Sequence, residues 1–83
     1  MKTDPTLKIL GETIRSLRKK QGLTQEQFAE RSDLDPTYIS GIERGVRNPS
    51  FKSLVSLAKG FGISVSEMCV TIPSVKRDEL WLW

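Results

Sequence analysis

The sequence predicts a single all-α domain built from five short helices. Three observations predict it: apolar residues recur at spacings of three and four, Ser, Thr or Asp precedes most of these runs, and glycines follow several of them. The chain has 83 residues, which leaves no room for a second hydrophobic core. Its composition, 37% hydrophobic and 28% charged, is that of an ordinary globular protein.

The first helix is predicted over residues 6–21. Its apolar stripe consists of Leu7, Leu10, Ile14 and Leu17. Gly22 is placed to end this helix in a left-handed turn, with Leu23 folding back onto it.

The second and third predicted helices meet at a tight corner. Thr24 and Gln27 form a capping-box pattern at the start of the second helix. Asp35 caps the third, and Pro36 occupies its first position, where a missing N–H costs nothing. Ile39 and Ile42 bury one face of the third helix, and the opposite face is mostly small and polar. A helix that is held across a partner and shows polar groups outward suits the major groove of DNA.

Two further helices complete the prediction. Ser50 caps a fourth, amphipathic helix that closes the core. Ser64 and Glu67 form a second capping box, which opens a short fifth helix ended by Pro73. The fifth helix carries more apolar residues than one monomer easily buries.

Two motifs carry a resemblance to a known family. LTQE…FA, from Leu23, and YISGIERG, from Tyr38, followed by Pro49, resemble the Cro/phage-repressor type of helix-turn-helix over about residues 9–70. Within that family, the run TYISGIERGVRNPSFKSL is most similar to the controller proteins of restriction–modification systems. The resemblance implies a five-helix, lambda-repressor-like domain whose helices 2 and 3 form the helix-turn-helix. It also implies a transcriptional regulator that binds a symmetric DNA operator as a homodimer.

The resemblance divides the chain into residues 1–72, the DNA-binding domain, and residues 73–83, an arm or further short helix. The fifth helix is then expected to be the dimer contact, through Val65, Met68, Cys69, Val70 and Ile72. Arg18 and Glu43 match a pair of residues that forms a scaffold ion pair in phage repressors, so neither is expected to read bases.

The expected DNA-binding residues lie on the two motif helices and in the loop and helix that follow. They are Thr24, Gln25, Pro36, Thr37, Tyr38, Ser40, Arg44, Arg47, Asn48 and Lys52. Gln25 matches a glutamine that touches the DNA backbone, with a solvated amide as the alternative. Tyr38 is expected to contact a phosphate through its hydroxyl, and the alternative is packing at the rim of the core. The basic loop after the third helix is expected to contact phosphates, and the alternative is a loop that is only solvated.

One position departs from the family pattern. In similar controller proteins a basic residue stands where this chain has Pro36, so the obvious bidentate contact to guanine is missing. Specificity is then expected to rest more on Thr37, Ser40, Arg44, Arg47 and DNA shape.

The charge distribution refines this picture. The formal net charge is +3 and the pI about 9.3, which fits a polyanionic partner but is also unremarkable for a small protein. Residues 24–44 nevertheless hold five acidic side chains against two basic ones, a net charge of −3. Phosphate contacts are therefore expected from backbone N–H groups, hydroxyls, amides and a few arginines. Glu26 and Glu30 are either contacts for RNA polymerase or a solubilising acidic face.

Other functions are excluded or kept as rivals. The chain has no histidine and one cysteine, so neither a catalytic Ser-His or Cys-His pair nor a zinc site is expected. No enzyme, cofactor, metal or membrane association is predicted, and the single cysteine fits a reducing cytoplasm, with the protein at the bacterial nucleoid. The rivals are an antitoxin-type regulator, whose toxin-binding segment would be the tail with Trp81 and Trp83, and a protein-interaction module using the same fold.

Overall fold

The computed structural model describes residues 4–73 and confirms the predicted five-helix architecture. Over this range the regular structure is helical throughout, with no strand. The helices are α1 (Pro5–Lys20), α2 (Gln25–Ser32), α3 (Pro36–Glu43), α4 (Phe51–Phe61) and α5 (Val65–Val70). The predicted C-terminal arm, with its two tryptophans, lies outside the described residues.

Each helix begins at a side chain that satisfies a free backbone N–H. The caps are Asp4, Thr24, Asp35, Ser50 and Ser64. Both predicted capping boxes are confirmed, since the side chains of Gln27 and Glu67 accept hydrogen bonds from the backbone N–H groups of Thr24 and Ser64. Hydrogen bonds from the backbone and side chain of Ser64 hold the pKa of Glu67 below its ordinary value. Helix boundaries are therefore set by local sequence.

Four helices end in the same way. A residue with positive φ follows the helix: Gly22, Asp33, Gly45 or Gly62. The N–H of the next residue then bonds a carbonyl five residues back, as in Val46 N to Gly41 O at 3.0 Å. This Schellman pattern turns the chain sharply. Three of the residues that follow pack against the core, namely Leu23, Leu34 and Ile63.

The core is formed by apolar side chains from all five helices. Its fully buried members include Ile14, Phe28, Ile39, Ile42, Leu57 and Met68. The rings of Phe28 and Phe61 stack with centroids 4.1 Å apart, joining α2 to α4. Glycines allow the closest helix contacts: a Cβ at Gly11 would overlap the α3 backbone, and one at Gly60 would lie 2.9 Å from Phe28 Cε1. The contact at Gly11 sets α3 directly against α1, and the contact at Gly60 sets α4 against α2.

Candidate nucleic-acid interface

The outward face of α3 is polar and accessible. Pro36, Thr37 and Arg44 are exposed, and Ser40 is half-buried. The inward face holds Ile39, which is fully buried, so the helix cannot rotate without exposing the core. Asp35 Oδ1 accepts a 2.7 Å hydrogen bond from the Thr37 N–H, which leaves the Thr37 side chain free of the cap. The four predicted residues therefore lie together on one surface.

The Tyr38 side chain crosses from α3 to the start of α4. It is half-buried against the core, and its hydroxyl donates a 3.1 Å hydrogen bond to Ser53 Oγ. Ser53 in turn accepts a hydrogen bond from the Ser50 hydroxyl, also at 3.1 Å. Of the two roles expected for Tyr38, packing at the rim of the core is seen, and a phosphate contact stays a prediction.

Gln25, at the N-terminus of α2, is tied to the end of α3. Its Nε2 donates a 3.2 Å hydrogen bond to Glu43 Oε1, so this half-buried amide is not simply solvated. One amide hydrogen remains beyond this bond. Thr24 is engaged differently: its hydroxyl accepts the Gln27 N–H at 3.1 Å as part of the capping box. The N-terminus of α2 is thereby held beside α3.

Arg18 and Glu43 form a bidentate ion pair in the interior. Arg18 Nε lies 2.7 Å from Glu43 Oε2, and its second nitrogen, Nη2, donates to Oε1 at 3.0 Å. Arg18 Nη1 also donates to the Leu23 carbonyl at 2.7 Å. Both residues are only 8% exposed, and the hydrogen bonds to Glu43 raise the pKa of Arg18. The pair thus joins α1, the following turn and α3, and it cancels one of the five negative charges in residues 24–44.

Basic and amide side chains project from the segment between α3 and α4. Arg47 and Asn48 are exposed in the loop, and Lys52 is exposed in the first turn of α4. Buried Pro49 anchors the loop between them. The N-terminus of α4 lies beside these cations, and free N–H groups at a helix N-terminus favour an anion.

Two residues of this surface were missed from sequence. Ser53 is the partner of Tyr38, and its only signal was its place three residues after Ser50. Gly41, in the middle of α3, was not among the expected DNA-binding residues. In the structure it is buried beneath the Arg47 side chain. A glycine inside a short helix was the available signal.

The expected dimer residues of α5 divide between two faces. Met68 is fully buried in the protomer's own core, so its assignment to the dimer interface is wrong: the last turn of α5 uses it to dock on the bundle. Val65 also packs on the core, and Ile72 is half-buried. Cys69 is exposed, and Val70 is 84% exposed. The sequence pattern gave the number of apolar residues but not which face each occupies.

A shallow groove of about 510 Å³ lies between α4 and the start of α5. Val55, Ile63 and Val65 contribute its apolar lining. We call the groove together with exposed Val70 the α4–α5 surface. Among residues 4–73, every helix falls short of the length and apolar character that spanning a bilayer requires.

Comparisons with known proteins agree with this architecture. A helix-turn-helix family model matches residues 14–68. The control protein C.MunI of Mycoplasma sp is 48% identical over 59 residues, covering 70% of this chain and 80% of the relative. The control protein C.SmaI of Serratia marcescens is 44% identical over 71 residues, covering 86% of this chain and 83% of the relative. The wild-type restriction–modification controller protein C.Esp1396I superposes with a TM-score of 0.76 at 36% identity, covering 93% of this chain and 96% of that one.

Proposed function

We propose a mode of DNA reading for this chain, which belongs to the helix-turn-helix family and is a DNA-binding transcriptional regulator close to the restriction–modification controller proteins. In this proposal two protomers bind a two-fold symmetric operator, each placing α3 in the major groove. Half-sites would then lie about 10 bp apart, centre to centre, which is one turn of DNA. This partner would place the protein at the nucleoid.

The observation that carries the proposal is the way three helix segments are joined around the polar face of α3. The Gln25–Glu43 bond holds the N-terminus of α2 to α3, and the Tyr38–Ser53 bond holds α3 to the start of α4. Thr37, Ser40 and Arg44 would meet base edges or the sugar-phosphate backbone. The flanking helix N-termini, with Thr24 and Gln25, would meet phosphates, which needs no strongly basic motif.

The loop cations supply the remaining electrostatic attraction. Arg47 in the loop and Lys52 in the first turn of α4 are exposed and have no ion-pair partner among residues 4–73, and the neutral amide of Asn48 lies between them. A guanidinium in this position serves either a phosphate or the edge of a guanine. Because Pro36 offers neither a charge nor a donor at the start of α3, Arg47 is the strongest candidate for a base contact.

The α4–α5 surface is where a second protomer would dock. Val70 is 84% exposed and Val55 is 43% exposed, and apolar side chains on a small protein are stabilised by burial in a dimer. Near Val70 in the chain, Cys69 is exposed and Ile72 is half-buried.

The first experiment measures binding to the DNA immediately upstream of the protein's own gene. Mobility shifts at two salt concentrations compare the wild type with Arg47→Ala, and Arg31→Ala at the opposite end of α2 from Gln25 is the matched charge control. We expect selective wild-type binding that weakens as salt rises, and a roughly tenfold loss for Arg47→Ala. The control should remain close to the wild type.

The salt dependence separates the two roles of Arg47. A phosphate contact predicts equal losses on every sequence and a salt slope lower by about one, whereas a base contact predicts relaxed specificity at one position. Wild-type binding that does not prefer the upstream DNA over random duplex would contradict operator recognition. The function would then move toward a protein partner.

Transcription activation would need a surface for RNA polymerase, and α2 offers one. Glu26 and Glu30 are both exposed, four residues apart on one face of the helix. Replacing both by alanine should abolish activation in a reporter assay and leave operator affinity unchanged. Full activation by this double variant would reject the surface.

A further inference from the structure

Gly41 forms a notch in α3 that is filled by the side chain of Arg47. A Cβ built on Gly41 would overlap Arg47 Cγ, and it would lie 3.4 Å from Nε and 3.5 Å from Cβ of the same side chain. Gly41 is buried, although it lies on the side of α3 that carries Thr37 one turn earlier. The atoms that cover it therefore belong to this exposed arginine.

At Gly11 and Gly60 a Cβ would also overlap neighbouring atoms, but these two glycines serve a different purpose. A Cβ at Gly11 would meet backbone atoms of α3, and one at Gly60 would meet Ser32 and Phe28, so both allow helices to pack closely. At Gly41 the neighbour is instead a flexible, charged side chain from the following loop. Close helix packing does not explain a glycine there, and glycine is a poor helix former.

The backbone directs Arg47 back over the notch. Gly41 O accepts hydrogen bonds from both Val46 N at 3.0 Å and Arg47 N at 3.2 Å. Gly45, with φ of 76°, makes the reversal possible. The chain therefore leaves α3 and immediately returns along its last turn, with the start of the Arg47 side chain already against the helix.

We propose that Gly41 is a positioning residue, which holds the Arg47 side chain across the outward face of α3 so that the loop supplies the guanidinium of the DNA-reading surface. This inference rests on the proposed function and names how that function is achieved. The aliphatic part of Arg47 lies on the bare helix backbone, while the guanidinium remains at the surface. An arginine restrained in this way loses less conformational freedom when DNA binds.

The notch also accounts for the departure at Pro36. A helix that begins with proline has no long side chain at its first position, and the next positions carry Thr37 and Ser40, which are short. Arg47 lies over the position one turn after Thr37. Arg47 therefore supplies a long, charged side chain, which the middle of α3 lacks.

A double-mutant cycle tests the positioning role, using operator affinity and thermal stability of Gly41→Ala, Arg47→Ala and the double variant. We expect Gly41→Ala alone to weaken operator binding roughly tenfold, about as much as Arg47→Ala. In the Arg47→Ala background, Gly41→Ala should change affinity less than twofold. There it should also raise the melting temperature, because the new methyl group then lies 3.5 Å from Cβ of residue 47, an ordinary contact, and alanine is the better helix former.

Two results would overturn the inference. Unchanged operator affinity in Gly41→Ala would show that displacing Arg47 does not matter. A further tenfold loss in the Arg47→Ala background would show that residue 41 approaches DNA directly.

The thermal-stability measurement needs no DNA, so its result tests this inference independently of the proposed function. Gly41→Ala should be more stabilising without Arg47 than with it, even if the wild type fails to select its upstream DNA. Equal stability changes in both backgrounds would show that Arg47 does not occupy the notch.

Discussion

At the scale of single residues, the strongest prediction concerns the buried Arg18–Glu43 pair. Glu43→Ala would remove both carboxylate acceptors of the Arg18 guanidinium, in a site that is only 8% exposed, and would leave it the Leu23 carbonyl alone. Removing one partner of a buried pair costs about 3–5 kcal/mol, a large share of the stability of a small domain. We expect this loss in the free energy of unfolding measured by urea denaturation.

The control variants decide whether the loss comes from the pair. Glu12→Ala removes an exposed carboxylate of α1 and should change stability by less than about 0.5 kcal/mol. Glu43→Gln retains the shape and one acceptor, so it should fall between the other two. A Glu43→Ala stability equal to that of Glu12→Ala would contradict the scaffold role and reopen Glu43 to a role at the DNA surface.

At the scale of elements, helix positions could be predicted because their signals are local. Thr24 with Gln27, and Ser64 with Glu67, satisfy backbone groups within one turn, so their pattern and their structure coincide. Gly22 similarly ends α1 without help from the rest of the fold. Asp33 also has the left-handed conformation, but an aspartate does not indicate that conformation from sequence as a glycine does.

Contacts between elements were harder to predict because they depend on rotation and loop path. A short apolar helix such as α5 does not reveal which residue points inward, and Met68 was assigned to the wrong face. The role of Gly41 requires Arg47 to return over α3, which no spacing in the sequence indicates. The Arg18–Glu43 pair, 25 residues apart, came from family resemblance rather than from periodicity.

At the scale of the whole molecule, size and surface chemistry favour a two-fold arrangement on DNA. The protomer measures 36 × 28 × 22 Å, and one DNA turn of roughly 34 Å falls within this range, so two protomers can stand side by side on successive half-sites. A symmetric dimer uses the same patch on both subunits. The α4–α5 surface meets this requirement with apolar side chains that the protomer leaves exposed.

The last prediction tests dimerisation through the α4–α5 surface. Val70→Asp would place a charge on each side of the contact, and burying an unpaired charge costs several kcal/mol. We expect the dimer dissociation constant to rise more than about a hundredfold, measured by sedimentation velocity, while circular dichroism retains the wild-type helicity because Val70 is 84% exposed in the protomer. Operator affinity should fall as dimerisation is lost, since one protomer contacts a single half-site.

Ser16→Asp is the control: it adds the same charge at an exposed position of α1 and should keep the dimer mass. A Val70→Asp protein that sediments as the wild-type dimer would place the contact between protomers elsewhere.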